Sequence, residues 1–125
     1  MTFRIGDCEI GAGRAFIIAE IGDNHNGCFE LAIEMIDQAR EAGADCAKFQ
    51  MRHLNAVYRK NTLNKRGDDL GTEYVIDLLN RFELSVDQHR RLFDYCQQIR
   101  LPYLCTPWDP KSFAVLEEFG VLAYK

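Results

Sequence analysis

The alternation of apolar and polar stretches divides the chain into strand and helix units. Residues 2–10 alternate loosely, with Phe3, Ile5 and Ile10 around Gly6 and Asp7, the pattern of a small hairpin. The run "AFIIAEIG" is continuously apolar up to Glu20, as expected of a strand buried on both faces of a parallel sheet. Leu31, Ile33, Met35, Ile36 and Ala39 then recur at helical spacing. They predict a helix from about Phe29 to Ala42 that stops at Gly43.

"DCAKFQM" reads as the second strand, with Lys48 and Gln50 near its end. Residues 53–72 are polar and weakly periodic, and a loop of that length inside a domain is usually functional or disordered. A short helix is expected over 73–82, and an amphipathic one opens at Ser85 as N-cap. "LPYLCTPWD" is the third strand, ending at Thr106; Ser112–Phe119 is a short helix before Gly120, and "VLAYK" begins a fourth strand.

Strand and helix therefore alternate, which predicts a parallel α/β sheet. A buried strand at the last residue suggests a chain belonging to a longer one. A (β/α)₈ TIM barrel takes about 250 residues, and four strands would be roughly half of it.

Composition narrows the classes. The chain has 125 residues, 47% of them hydrophobic and 27% charged, with a net charge of −4. This is globular composition with no basic bias toward nucleic acid or an anionic membrane. No apolar run approaches a membrane span, and "MTFRIGDCEIG" lacks the layout of a signal peptide. The five cysteines form no CxxC pair and several sit in apolar patterns, so buried free thiols of a cytoplasmic protein are expected.

Each strand also delivers a polar group to its carboxyl end: Glu20, then Lys48 and Gln50, then Thr106, then Lys125. Ligands of α/β barrels and open α/β sheets bind at that end. Lysines and a threonine suit phosphate or carboxylate oxygens, and a glutamate suits base work or the orientation of water. Plainer readings stand beside these. Glu20 and Lys48 could form a structural ion pair, Lys48 could snorkel to solvent, and His25 could be an ordinary loop histidine. Asn24 and Asn26 beside Gly27 suit turns, and Asp109–Pro110 suits the entry to a helix.

At these residues the chain resembles a known family. "IIAEIGDNHNG", "EAGADCAKFQ", "PYLCTPWD" and "FGVLAYK", in this order, are similar to the N-terminal half of the N-acetylneuraminate (sialic acid) synthase family, with "CTP" in place of the commoner "STP". The resemblance implies that residues 1–125 are the N-terminal part of a TIM-barrel synthase, often followed by an antifreeze-like domain, in a homodimer. It implies condensation of phosphoenolpyruvate with an N-acetylated aldose such as N-acetylmannosamine, giving a nonulosonic acid and phosphate. It also implies a divalent metal, Mn²⁺ or Mg²⁺, whose histidine ligands lie outside this chain.

Carried over by motif, Lys48, Thr106 and Lys125 match the positions that hold phosphoenolpyruvate. Gln50 matches a contact to the amino sugar, and Glu20 matches the glutamate that orients or deprotonates water. The loop around Asp68 occupies a sugar-contacting stretch whose residues do not match cleanly. Two alternatives remain. A phosphoenolpyruvate-dependent aldose-phosphate synthase could use Arg59, Lys60, Lys65 and Arg66, and a catalytically incomplete half-barrel could only bind or assemble.

Overall fold

The structure, a computed structural model, describes residues 2–11, 13–58 and 72–125. Strands β1 (Phe3–Ile5) and β2 (Cys8–Ile10) pair antiparallel as the expected hairpin. Strands β3 (Ile18–Gly22), β4 (Cys46–Met51) and β5 (Tyr103–Pro107) form a parallel sheet in the order β3-β4-β5. Helix α1 (Phe29–Glu41) connects the first two strands. Helices α2 (Leu54–Val57), α3 (Thr72–Phe82) and α4 (Val86–Ile99) lie between β4 and β5, and α5 (Pro110–Phe119) follows. The fold is α/β, and the alternation of its elements agrees with the sequence pattern. The expected fourth strand is represented by one parallel bridge between Tyr124 and Cys105.

Local chemistry sets the helix ends. The Ser85 side chain accepts the Gln88 N–H while the Gln88 side chain accepts the Ser85 N–H, a capping box that supplies two of the partners a helix start lacks. Asp109 caps α5 by accepting from the N–H groups of Lys111 and Ser112, with Pro110 in the first turn. It also accepts the His53 N–H at 2.7 Å and the Ser112 hydroxyl at 2.7 Å, so it ties the end of β4 to the start of α5. Burial alone would raise its pKa, but hydrogen bonds from Ser112 and His53 and the charge of His53 outweigh that and hold it below the ordinary value.

The core lies between one face of the sheet and the helices. Ala47, Phe49, Met51, Tyr103 and Cys105 pack there with Ala32 and Ile36 of α1, Leu92, Phe93 and Cys96 of α4, and Leu116 and Phe119 of α5. Phe49 stacks on Tyr103 at 5.4 Å, and Phe93 meets Tyr103 edge-on at 5.8 Å. The thiols of Cys46, Cys96 and Cys105 are pushed up to about 12, chiefly by burial, which makes them packing groups rather than nucleophiles.

Two expectations require correction. Strand β3 is not buried on both faces: Ile18 is 43% exposed, and Ile17 just before it 52%. The reason is topological, since among the described residues β3 is hydrogen-bonded on one edge only, to β4. In the α1 stripe Ile36 and Ala39 are buried, with Ala32, and Ile33 and Met35 pack against the core as expected, but Leu31 borders an open groove beside β3. The stretch 53–72 opens with the short helix α2, and its remainder from 59 to 71 lies outside the described residues.

Candidate active site

In a parallel pair, residues in register turn their side chains to the same face, and successive residues alternate between faces. Register joins Glu20 to Lys48, Lys48 to Leu104 and Gln50 to Thr106. Because Ala47, Phe49, Met51 and Cys105 face the helices, these residues share the opposite face. Four of the residues singled out in the sequence are therefore brought together on one surface at the carboxyl ends of the strands. Lys125 follows the Tyr124–Cys105 bridge, beside Thr106 in register.

Lys48 forms an ion pair with Glu20 in which the lysine side chain is 6% exposed and the glutamate 48%. Burial lowers the Lys48 pKa, and the Lys125 ammonium lowers it further. Lys48 and Lys125 thus share this end, with the partly solvated Glu20 carboxylate paired to Lys48. Thr106 Oγ1 is the one buried side-chain polar atom without a hydrogen-bond partner among the described residues. Such an atom costs free energy unless something binds it.

A second group of residues extends the same face. Arg52 and Trp108 stand two positions beyond Gln50 and Thr106, and the Trp108 N–H continues the ladder to the Met51 carbonyl at 3.0 Å. The Arg52 guanidinium lies 5.3 Å from the centroid of the Trp108 ring and pairs with Asp23 at 2.9 Å. Gln50 Oε1 accepts from Arg52 Nη2 at 2.5 Å and from Trp108 Nε1 at 3.1 Å. These residues, with Tyr58 and Leu79, border a cavity of about 260 Å³. Arg52, Asp23 and Trp108 were not singled out in the sequence, although the period-two series 48, 50, 52 and 104, 106, 108 places Arg52 and Trp108 on this face.

The turn after β3 is structural. Asn24, Asn26 and Cys28 donate their N–H groups to the carbonyls of Ile21, Asp23 and His25, and Asn26 takes φ 53°, the turn role expected of it. His25 is buried at 1% exposure, accepts the Gly27 N–H at 3.1 Å on Nδ1 and lies 6.1 Å from the Phe49 ring. Desolvation lowers its pKa, opposed by Asp23, so the ordinary-loop reading gives way to a buried packing histidine.

No cluster of three His, Cys, Asp or Glu side chains among the described residues is arranged to hold a metal ion. The described residues do not fit the divalent metal implied by the resemblance, which places its ligands outside this chain. Asp68 and the basic residues Arg59, Lys60, Lys65 and Arg66 lie outside the described residues. No helix among the described residues is long and apolar enough to cross a membrane.

Residues 35–125 match the NeuB family. The chain is similar to the N-acetylneuraminate-9-phosphate synthase of Mus musculus, 35% identical over 118 residues that cover 92% of this chain and 33% of that protein. It is 34% identical over 116 residues to the N,N'-diacetyllegionaminic acid synthase of Legionella pneumophila, covering 88% of this chain and 32% of that relative. The crystal structure of an N-acetylneuraminic acid (sialic acid) synthetase from Leptospira borgpetersenii, in complex with citrate, matches with a TM-score of 0.76 and 28% identity, covering 99% of this chain and 40% of that one. The chain spans about a third of the length of the curated relatives it matches. With the family match covering most of the chain and its ordered strand-end motifs lying on one sheet face, this chain belongs to the NeuB family.

Proposed function

We propose that residues 1–125 form the first four β/α units, after a hairpin, of a (β/α)₈ barrel synthase. Its reaction is the condensation of phosphoenolpyruvate with an N-acetylated aldose to a nonulosonic acid and phosphate. The observation that carries this reading is the unpartnered Thr106 Oγ1 beside two cations at one strand end. An anion with several oxygens satisfies that hydroxyl and relieves the repulsion between Lys48 and Lys125.

In this reading Lys48, Thr106 and Lys125 hold phosphoenolpyruvate while its C3 bonds to the aldehyde carbon, whose oxygen takes a proton. Water adds to the electron-poor C2 and gives its proton to Glu20. The C2–O bond to phosphate then breaks as the tetrahedral centre collapses to the ketone, the hydroxyl proton leaving with the phosphate, and the proton taken up by Glu20 is the one passed to the aldehyde-derived oxygen. Lysines suit this sequence because the phosphate is anionic throughout. Gln50 and Asp68 meet the sugar. The Mn²⁺ or Mg²⁺ of the same proposal takes its ligands from outside this chain, and none of the residue roles above depends on it. A homodimer in the cytoplasm belongs to the proposal as well.

The test uses the product of the complete open reading frame, assayed for phosphate release from phosphoenolpyruvate with N-acetylmannosamine. Lys48→Ala should raise the KM for phosphoenolpyruvate far more than that for the sugar, at a cost of about 1.5 to 3 kcal/mol for a lost charge-assisted contact. An unchanged KM for phosphoenolpyruvate would sink the assignment. The name of the mouse relative favours a second reading, in which the sugar is phosphorylated. Assays with phosphorylated against free aldose separate the two.

A further inference from the structure

Side chains of a regular strand alternate between faces, so residues three apart point opposite ways. Glu20 and Asp23 break this rule. Glu20 pairs with Lys48 and Asp23 with Arg52, and Lys48 and Arg52 lie on the same face of the sheet. The register of β3 explains the exception. Ile18, Ala19 and Glu20 stand against Cys46, Ala47 and Lys48, but the next pair is Gly22 with Phe49. Ile21 is therefore an inserted residue, a bulge directly after Glu20.

The bulge is built from local parts. Ile21 keeps its side chain in the core at 5% exposure. Gly22 takes φ +55°, a left-handed conformation that suits glycine, and a Cβ there would lie 3.4 Å from Glu20 Oε1. The Asn24 N–H donates to the Ile21 carbonyl at 3.0 Å and closes the turn. Beyond the insertion the alternation restarts one residue out of step, which brings Asp23 to the face of Glu20 instead of the helix side.

The insertion also sorts the charges on that face. The Arg52 side chain is 9% exposed and pairs with Asp23 at 2.9 Å. An uncompensated guanidinium so far from water would attract another carboxylate. The other β3 carboxylate on this face is Glu20, which Lys48 already holds.

We propose that the bulge, and the Asp23–Arg52 pair it creates, is a positioning device for Glu20. Asp23 neutralises Arg52, so that Glu20 stays with Lys48 at the strand end. Asp23 and Arg52 act through Glu20 and are positioning residues. The kinetic consequence rests on the function proposed above; the electrostatic one does not.

The experiment compares Asp23→Asn, Arg52→Gln and the double variant in the product of the complete reading frame. The Glu20 carboxyl is titrated without substrate by ¹³C resonance, its signal assigned by its loss in Glu20→Gln. Lys48, Lys125 and Glu34 of α1, which borders the groove beside Glu20, are unchanged in all three variants. Asp23→Asn leaves the arginine uncompensated and should move the Glu20 titration down by about one pH unit. Arg52→Gln leaves Asp23 as a like charge and should move it up by about as much. The double variant should return to within about 0.3 units of the wild type. With substrates, Asp23→Asn should lower kcat about 10-fold and displace the acid limb of its pH profile downward. Its KM for phosphoenolpyruvate should stay within about twofold, and the double variant should recover most of kcat. A Glu20 titration that ignores both single substitutions overturns the inference. So does an Arg52→Gln variant whose KM for phosphoenolpyruvate rises as that of Lys48→Ala does, for Arg52 would then be an anion ligand. Where a single variant does not fold, the double variant decides, since a displaced Glu20 titration there refutes the balance of charges. If the wild-type protein turns over no phosphoenolpyruvate, the proposed function fails alone and the titration still decides how Glu20 is held.

Discussion

Glu20 is the residue on which the structural and catalytic readings meet. It pairs with Lys48, the scaffold role weighed from sequence, yet its own side chain is 48% exposed. A pair with one partner that solvated contributes little to stability, typically under about 1 kcal/mol. The cost of losing Glu20 should therefore fall on chemistry rather than on folding. Glu20→Gln keeps size and hydrogen bonding but removes the base, and kcat should drop by about 10² to 10⁴. The melting temperature should stay nearly constant, because Lys48 retains a hydrogen-bonding neighbour. A variant with near-normal kcat and a clearly lowered melting temperature would make Glu20 scaffold. At this scale the sequence exposes what a strand end carries, because a charge closing an apolar run is conspicuous. It does not expose Arg52 or Trp108 in the same way: Asp23 reaches Arg52 only when β3 pairs with β4, and Gln50 reaches Trp108 only when β4 pairs with β5.

At the scale of elements, helix boundaries were legible wherever a cap is local. Ser85 with Gln88, Asp109 with Pro110, and the glycine after α5 all lie within four residues of the bonds they make. What could not be read was exposure, since the burial of β3 depends on which strands flank it. The turn after β3 adds a tertiary constraint that sequence shows only as a glycine. Gly27 takes φ +77°, and a Cβ there would lie 2.3 Å from the Arg81 carbonyl oxygen near the end of α3. Gly27→Ala thus combines a left-handed backbone, about 1 to 2 kcal/mol for a non-glycine residue, with a collision against backbone that cannot rotate away. A loss of about 2 kcal/mol or more is expected in urea unfolding. Gly43→Ala takes a similar φ of +82° but meets nothing within 4 Å, so it should lose only the backbone share. Equal losses in the two variants would mean that α3 does not pack against this turn.

The molecule as a whole registers pH through His89. Its ring is buried at 2% exposure, with Nδ1 2.9 Å from the Tyr103 hydroxyl and the ring edge-on to Phe49 at 6.2 Å. It thereby joins α4 to both β4 and β5, and protonating it in place means putting a charge between the central strands and their helix. Burial, with a smaller contribution from His25, lowers its pKa from 6.5 to about 4. Between those two values the unfolded chain binds the proton and the folded one does not. Stability is therefore full above the unfolded value, falls as pH drops below it, and levels off below the folded one. From pH 7 to pH 5 the loss from His89 should be about 2 kcal/mol. The lowered pKa of His25 adds in the same direction, while the raised pKa of Glu83 opposes it. His89→Gln isolates the contribution: the variant should be less stable than the wild type at pH 7, yet lose about 2 kcal/mol less on acidification to pH 5. Parallel pH profiles for the two proteins would mean that His89 takes up its proton within the folded core, and that the contact between helix and sheet opens to water without global unfolding.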